Sequence, residues 1–166
     1  EQLAEELSET AERIWDTLTV AMEYAPKRPV EIVLVDHTDD ANGYATTLPI
    51  NTIVIFVTAP TEDSTLGLYD DWLEAITTHE LTHILHLDTV EGIPKLLRAI
   101  LGRIVSINHV SPWWLVEGQA TYMETRFTAG GRGRAPAANM VIRMAVLEDR
   151  FPELGQMDGW VSDPPS

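Results

Sequence analysis

The chain has 166 residues, of which 45% are hydrophobic, 22% are charged and none is cysteine. This composition predicts one soluble globular domain and excludes intrinsic disorder, disulfides and thiolate metal sites. The formal net charge of −15 argues against nucleic-acid binding. Neither a membrane span nor a signal peptide is predicted in these residues. Any bound metal would therefore be held by histidine and carboxylate side chains.

Apolar periodicity and turn residues predict five helices and two clear strands. The expected helices cover about 1–24, 70–87, 93–104, 113–127 and 137–150, and the strands cover 30–35 and 50–57. Strands come first and helices follow, which favours an α+β fold with a small mixed sheet and a mainly helical second part. Ser111 is expected to cap the fourth helix with Pro112 as its first residue. Segment 130–134 is expected to be a mobile loop.

The decisive motif is His79-Glu80-Leu81-Thr82-His83 in the second helix. Histidines at i and i+4 lie on one face of a helix, so both rings can reach the same ion. Glu80 can act on a metal-bound water as a general base, which is the HExxH pattern of zinc hydrolases. His86 lies about 10 Å along the helix axis from His79, too far to share the ion. We expect His86 at the surface or beside a ligand, with a place lining the cleft as the alternative.

A zinc site with an open position needs a third protein ligand. The longer HExxHxxGxxH pattern fails, because its last two places hold His86 and Thr89. Downstream, the stretch 114–124 (WLVEGQATYME) resembles a segment of gluzincin zinc metallopeptidases, the thermolysin-like and aminopeptidase-N class. The interval from His83 to Glu117 is longer than in those relatives. Bacterial MA-like peptidase domains, some of them fused to β-propellers, have longer intervals, and the sequence most resembles these.

The resemblance implies a role for each residue of the motifs. Zn²⁺ is expected on His79, His83 and Glu117, with Glu80 as the general acid–base group. Glu124 is expected to accept a hydrogen bond from a ligand histidine, with an ordinary surface glutamate as the alternative. The G-x-M-E-N segment with which aminopeptidases bind a free amino terminus is missing, so an endopeptidase is favoured over an exopeptidase.

The group that stabilises the oxyanion is harder to assign. Relatives use a Tyr or His from a later helix, which this chain lacks after Tyr122. The candidates are His109, Tyr44 and Tyr122, although a core position is favoured for Tyr122. In gluzincins, an edge strand above the zinc pairs with substrate. Strand 50–57 is either that edge or, as its continuous apolar run favours, a buried central strand with 44–48 at the edge.

The resulting prediction is one zincin-like metallopeptidase domain over residues 1–166, complete or part of a longer protein. It would hydrolyse peptide bonds in peptides or proteins in an extracytoplasmic bacterial compartment. The alternatives are a catalytically silent peptide- or partner-binding module and a hydrolase of another amide or ester. Helix 93–104, apolar with three cations, is expected to pack against the domain, with a lid, a membrane contact or an oligomer contact less favoured. Gly118 and Ala120 are expected to let two helices approach closely.

Overall fold

The computed structural model describes residues 2–36, 42–58, 60, 71–102 and 107–157. Within these ranges the elements are α1 (Gln2–Ala21), β1 (Glu31–Val35), β2 (Gly43–Thr46), β3 (Thr52–Phe56), α2 (Trp72–Asp88), α3 (Gly92–Leu101), α4 (Trp113–Phe127) and α5 (Pro136–Leu147). Short 3₁₀ turns cover Ile107–Val110, Arg132–Arg134 and Leu154–Gln156. This arrangement confirms the predicted α+β class. The expected turn at 39–43 and the last residues of helix 93–104 fall partly outside the described residues.

The sheet has three strands in the order β1-β3-β2. β3 is parallel to β1 and antiparallel to β2, so the run 50–57 supplies the central strand. Ile53 and Ile55 are fully buried on one of its faces. β1 and β2 are the two edge strands, and in β2 Gly43 pairs with Ile55 and Thr46 with Thr52.

Helix α2 lies at the centre of the molecule. Almost every residue from Leu73 to Leu85 is buried, and α1, α4 and the sheet all pack against this helix. Asp71 caps its first turn by accepting a hydrogen bond from the Glu74 backbone N–H at 2.9 Å. The buried hydroxyls of Thr78 and Thr82 donate to backbone carbonyls one turn earlier, which removes the cost of burying them. The helix that carries the HExxH motif is therefore held on all sides.

Two local expectations are wrong. The N-cap of α4 is Pro112 and makes no side-chain capping bond, so Ser111 lies outside the helix. Segment 130–134 is an ordered turn bonded to α4, because the backbone N–H of Gly133 donates to the Thr125 hydroxyl at 3.0 Å and that of Arg132 bonds the Glu124 carboxylate.

The favoured packing of α3 is also wrong. Its large apolar side chains Ile93, Leu96, Leu97 and Ile100 are all exposed. A helix with an apolar stripe usually buries it, but here the half-buried positions are Pro94 and Arg98, on another side of the helix. Among the described residues, no helix is both long and apolar enough to cross a membrane.

Candidate active site

Two helices bring three potential metal ligands to one point. His79 and His83 lie on α2, and their Nε2 atoms are 3.0 Å apart. The Glu117 carboxylate on α4 approaches from the other side, with oxygens 3.3 Å from His79 Nε2 and 3.4 Å from His83 Nε2. These three groups form the metal-binding cluster found among the described residues. His83 and Glu117 are separated in the sequence by the whole of α3, and the packing of α4 on α2 brings them together.

The spacing of these ligand atoms suits zinc. Bonds of about 2.0–2.1 Å in a tetrahedral site place two ligand atoms about 3.3 Å apart. The three observed separations lie within a few tenths of an ångström of that value. Two neutral imidazoles and one carboxylate are also the donor types that a catalytic zinc takes, with a fourth position left open. The residues therefore fit the metal in both distance and chemistry.

Both Glu124 and Arg132 contact Nδ1 of His79: Glu124 Oε2 lies 3.0 Å away, and Arg132 Nη2 also approaches this nitrogen. A carboxylate can only accept, so the Glu124 contact favours a proton on Nδ1. That tautomer would leave the Nε2 lone pair for a metal. Burial lowers the pKa of His79, but its hydrogen bonds to Glu117 and Glu124 outweigh that effect and raise it.

Arg132 holds Glu124 in turn and was missed by the sequence analysis. Its backbone N–H and its Nε donate to Glu124 Oε1 at 2.7 and 3.0 Å, and its Nη2 donates to Oε2 at 2.9 Å. Burial favours the neutral form of Glu124, yet the bonds from His79 and Arg132 lower its pKa to about 2. Arg132 Nη2 also lies 3.2 Å from His79 Nε2, so its positive charge reaches the metal-binding cluster.

Gly131 makes this contact possible. It has a φ of +97°, a conformation that side chains disfavour, and an added Cβ would lie 2.7 Å from the Thr125 backbone nitrogen. Without a Cβ, the turn can lie directly on α4 and direct the Arg132 backbone at Glu124. The glycines around Arg132 were the available signal, but composition alone suggested a mobile loop.

Glu80 lies beside the metal-binding cluster and is buried. Among the described residues its Oε2 has no hydrogen-bond partner. Burial raises the pKa of Glu80 to about 7, because the charged form is poorly solvated. A carboxylate that titrates near neutrality with an unoccupied acceptor atom can take up and release a proton.

The other two groups of the cluster are held in the protonation states that metal binding requires. Burial and then the neighbouring His79 lower the pKa of His83 to about 4. The hydrogen bond with His79 lowers the pKa of Glu117 despite its partial burial. At neutral pH, His83 is therefore neutral and Glu117 is ionised, so both can donate a lone pair.

The candidates for the oxyanion-stabilising group have other side-chain contacts. The Tyr44 ring packs near Phe56, with ring centroids 6.3 Å apart, whereas its neighbour Gly43 faces Glu80. His109 bonds the Thr47 hydroxyl at 2.9 Å through Nε2. Tyr122 is exposed and accepts a hydrogen bond from Arg126 at 3.1 Å, so its favoured core position is wrong. None of these contacts among the described residues is to His79, His83 or Glu117, so the assignment of this group stays a prediction.

Two further expectations concern the contact between α2 and α4. His86 is half-buried; burial lowers its pKa, and a hydrogen bond with Gln119 of α4 partly offsets this effect. Ala120 is fully buried, as a close helix contact requires. Gly118 has open space where a Cβ would be, so its expected role in that contact is wrong.

A buried helix that presents two imidazoles to a carboxylate on a second helix is the arrangement expected of a metal-dependent hydrolase. The chain matches the family model of peptidase family M48 over residues 1–130, a range that includes α1 to α4. It therefore belongs to peptidase family M48, a family of zinc-dependent metallopeptidases. Searches of curated proteins and of solved structures gave no significant match. The family confirms the expected metallopeptidase class but does not extend to the narrower resemblance to aminopeptidase-N.

Proposed function

We propose that this protein is a zinc-dependent endopeptidase of the gluzincin type. His79, His83 and Glu117 would hold the zinc. The observation that carries the proposal is the close approach of these three side chains. The two Nε2 atoms are 3.0 Å apart, Glu117 Oε2 lies 3.3 Å from His79 Nε2, and Glu117 Oε1 lies 3.4 Å from His83 Nε2. Family membership independently supports peptides or proteins as substrates.

Glu80 is proposed as the group that moves the proton. When bound, zinc polarises the scissile carbonyl and makes the attacking water more acidic. The Glu80 carboxylate accepts the proton of that water and then delivers it to the leaving amine, so the residue ends each cycle ionised. Its raised pKa supports both halves of this exchange, since a carboxyl group with a pKa near 7 is a better base than an ordinary glutamate.

Strand β2 is proposed as the place where the substrate backbone lies. One edge of β2 pairs with β3, and no described strand pairs with the other. An extended peptide could add to that edge through main-chain hydrogen bonds. Gly43 begins this strand, and a Cβ there would lie 3.4 Å from Glu80 Cγ, so the strand passes directly over the proposed base. A peptide bound along an open edge needs no free terminus, which favours an endopeptidase.

The alternative hypothesis is a catalytically silent peptide-binding module, and the buried position of Glu80 argues against it. A domain without catalysis has no need for a buried carboxylate whose oxygen lacks a partner, because burying it destabilises the fold. Four charged or polar groups around it, His79, Glu117, Arg132 and Glu124, also shift its pKa. These features are expected where proton transfer occurs.

The test combines metal analysis with peptide hydrolysis. Zinc content is measured by mass spectrometry, and a mixed peptide library is incubated with the protein, with and without a chelator. We expect one zinc per chain and internal cleavage that the chelator abolishes. The matched control is Glu80→Gln, which keeps size and hydrogen bonding but not basicity. One bound zinc without any cleavage would refute the hydrolytic function and leave the metal site intact.

A further inference from the structure

A cavity of about 620 Å³ lies between α1 and β1. One side of α1 and one face of β1 form its walls, and Leu81 of α2 also lines it. Most of the lining side chains are apolar, among them Leu7, Trp15, Ile32 and Leu34. Cavities of roughly 300–1,000 Å³ with mainly apolar walls are typical of ligand sites. This space is therefore large enough for a ligand, and its walls suit apolar groups.

The outer edge of β1 is open among the described residues, since β3 is the one strand that pairs with β1 there. The backbone N–H of Glu31 bonds the residue before β3 at 2.9 Å, and the carbonyl of Val35 bonds the residue after β3 at 3.0 Å. Backbone groups alternate in direction along a strand, so those of Ile32 and Leu34 point away from β3. An open edge of this kind can bind a further strand through main-chain hydrogen bonds. Side chains of that strand on the same face as Ile32 and Leu34 would enter the cavity.

Two carboxylates lie at the rim of the cavity. Glu12 and Asp16 line it, are exposed, and lie about one turn apart on α1, where like charges repel each other. Neither forms an ion pair within the part of the chain that the structure describes. Arg13, the one basic residue of α1, pairs with α2 at 2.7 Å, and Lys27 and Arg28 before β1 pair with neither carboxylate. A ligand with a positive charge at this rim would relieve the repulsion.

We propose that this cavity binds an extended segment of a partner protein that carries aliphatic and basic side chains on one face. The segment would add to the open edge of β1 as a fourth strand. Its aliphatic side chains would fill the cavity, and the stem of a lysine or arginine would lie along the apolar wall with its charge at Glu12 and Asp16. Because β1 and β2 are opposite edges of the sheet, this site is separate from the proposed substrate strand.

Two other occupants suit the observations less well. A second copy of the chain would bring two acidic surfaces together, because the chain has a net charge of −15 and α1 contains five carboxylates against one basic residue. A small hydrophobic cation would use the apolar walls and the carboxylates, but it would leave the backbone groups of Ile32 and Leu34 without a strand partner. An extended basic segment uses all three features.

The experiment measures binding of the fluorescein-labelled heptapeptide TVTKTVT to the 166-residue chain by fluorescence anisotropy. The valines and the lysine of this probe share one face when it is extended. All proteins carry Glu80→Gln, so that hydrolysis at the proposed active site does not consume the probe. We expect saturable binding that added salt weakens. The peptides TSTKTST, without the valines, and TVTETVT, with the charge reversed, should bind more weakly.

A second pair of probes tests strand addition. Each is TVTKTVT with backbone N-methyl groups on alternate residues, one on the odd and the other on the even positions. Alternate N–H groups of a strand point to opposite edges, so one of the two peptides loses the donors that face β1 and should not bind. The other keeps those donors and should bind. Equal binding of the two peptides would overturn the proposal.

Substitutions in α1 test the contacts of the cavity. Glu12→Gln and Asp16→Asn should each weaken binding about two- to fivefold, as expected for exposed ion pairs. Ala11→Leu fills part of the cavity and should weaken binding at least about fivefold. The matched control is Glu6→Gln, which removes the same charge from an exposed residue of α1 that does not line the cavity, and it should leave binding unchanged. Urea unfolding checks that each variant is folded.

Hydrogen exchange followed by NMR locates the probe without any substitution in the cavity. The amide protons of Ile32 and Leu34 should exchange more slowly when TVTKTVT is bound, whereas those of β2 should not change. Protection along β2 instead would place the probe at the proposed substrate strand and overturn the proposal. Absence of binding would overturn it too, as would binding that Glu12→Gln and Ala11→Leu leave unchanged. None of these results depends on peptide hydrolysis, so the two proposals can fail separately.

Discussion

The same substitution at Glu117 and at Glu124 should change two different properties of the protein. Both lie on α4 and both contact His79, one through Nε2 and the other through Nδ1. Replacing each with glutamine removes the charge and keeps the volume. If Glu117 binds metal and Glu124 orients a ligand, Glu117→Gln should affect mainly zinc affinity, whereas Glu124→Gln should affect mainly the stability of the metal-free chain.

The sizes of these effects follow from burial and partners. The Glu124 side chain is 1% exposed and accepts hydrogen bonds from Arg132 and His79, so replacing this buried charge should cost the metal-free fold about 3 kcal/mol. The Glu117 side chain is 30% exposed and its closest basic atoms are 3.3 Å away, so the metal-free fold should lose less than about 1 kcal/mol. Zinc sites release about 10–16 kcal/mol over four ligands, so losing Glu117 should weaken binding on the order of several-hundred-fold. Losing Glu124 should weaken it about 10–100-fold.

Two measurements separate the roles. Urea unfolding in the presence of a strong chelator gives the stability of each metal-free variant, and competition with a chromophoric chelator gives the zinc affinity. Glu117→Ala serves as a control, because it should weaken zinc binding at least as much as Glu117→Gln. A Glu124→Gln variant that is fully stable but binds no zinc, with Glu117→Gln binding normally, would exchange the two assignments and refute the site.

Further predictions concern the proposed base and the turn behind the metal-binding cluster. Glu80→Gln should keep its zinc while peptide hydrolysis falls at least about a hundredfold, and loss of zinc would instead make Glu80 a ligand. In the metal-free chain, Glu80 has a folded pKa of about 7 against 4.5 unfolded, so rising pH favours unfolding between those values. Urea unfolding should therefore find Glu80→Gln more stable than the unmodified chain above pH 7, by up to about 3 kcal/mol. The pKa of Glu124 is shifted in the opposite direction, so the stabilisation from its ionised form is present above pH 4.5 and is lost as the pH falls towards 2. The free energy of unfolding of the Glu124→Gln variant should therefore depend less on pH in this acid range. Arg132→Gln should weaken zinc binding roughly tenfold by chelator competition. Gly131→Ala should do the same and cost at least about 1–3 kcal/mol in urea, because its Cβ would overlap the Thr125 backbone.

The elements near the site were predictable because their signals are local. Helix α4 begins and ends where the periodicity and Pro112 place it, and α2 differs from the prediction by a residue or two. The apolar run 50–57 correctly indicated a central strand, since a strand covered on both sides cannot alternate with polar residues. Short edge strands carry little signal, so β2 was expected only as a consequence of that assignment.

The residues of the metal-binding cluster were found for two different reasons. His79, Glu80 and His83 follow from helical spacing, which puts them on adjoining positions of one helix whatever the fold. Glu117 is 34 positions from His83, and only the resemblance of its segment to known peptidases indicated it. Arg132 had neither kind of signal. Its position depends on a positive φ at Gly131 and on the fit of a turn against α4, which are tertiary properties.

Helices α2 and α3 show that a sequence pattern can predict which side of a helix is apolar but not whether another element covers that side. Helix α2 mixes threonines, histidines and aliphatic residues all round, and it is buried because three other elements surround it. Helix α3 has the clearer division into apolar and polar sides, yet its apolar side is exposed. The rule that an amphipathic helix buries its apolar stripe assumes that the domain itself supplies the partner. In α3 the ion pair of Arg98 with Asp88 holds the polar side against α2, which leaves the apolar side exposed.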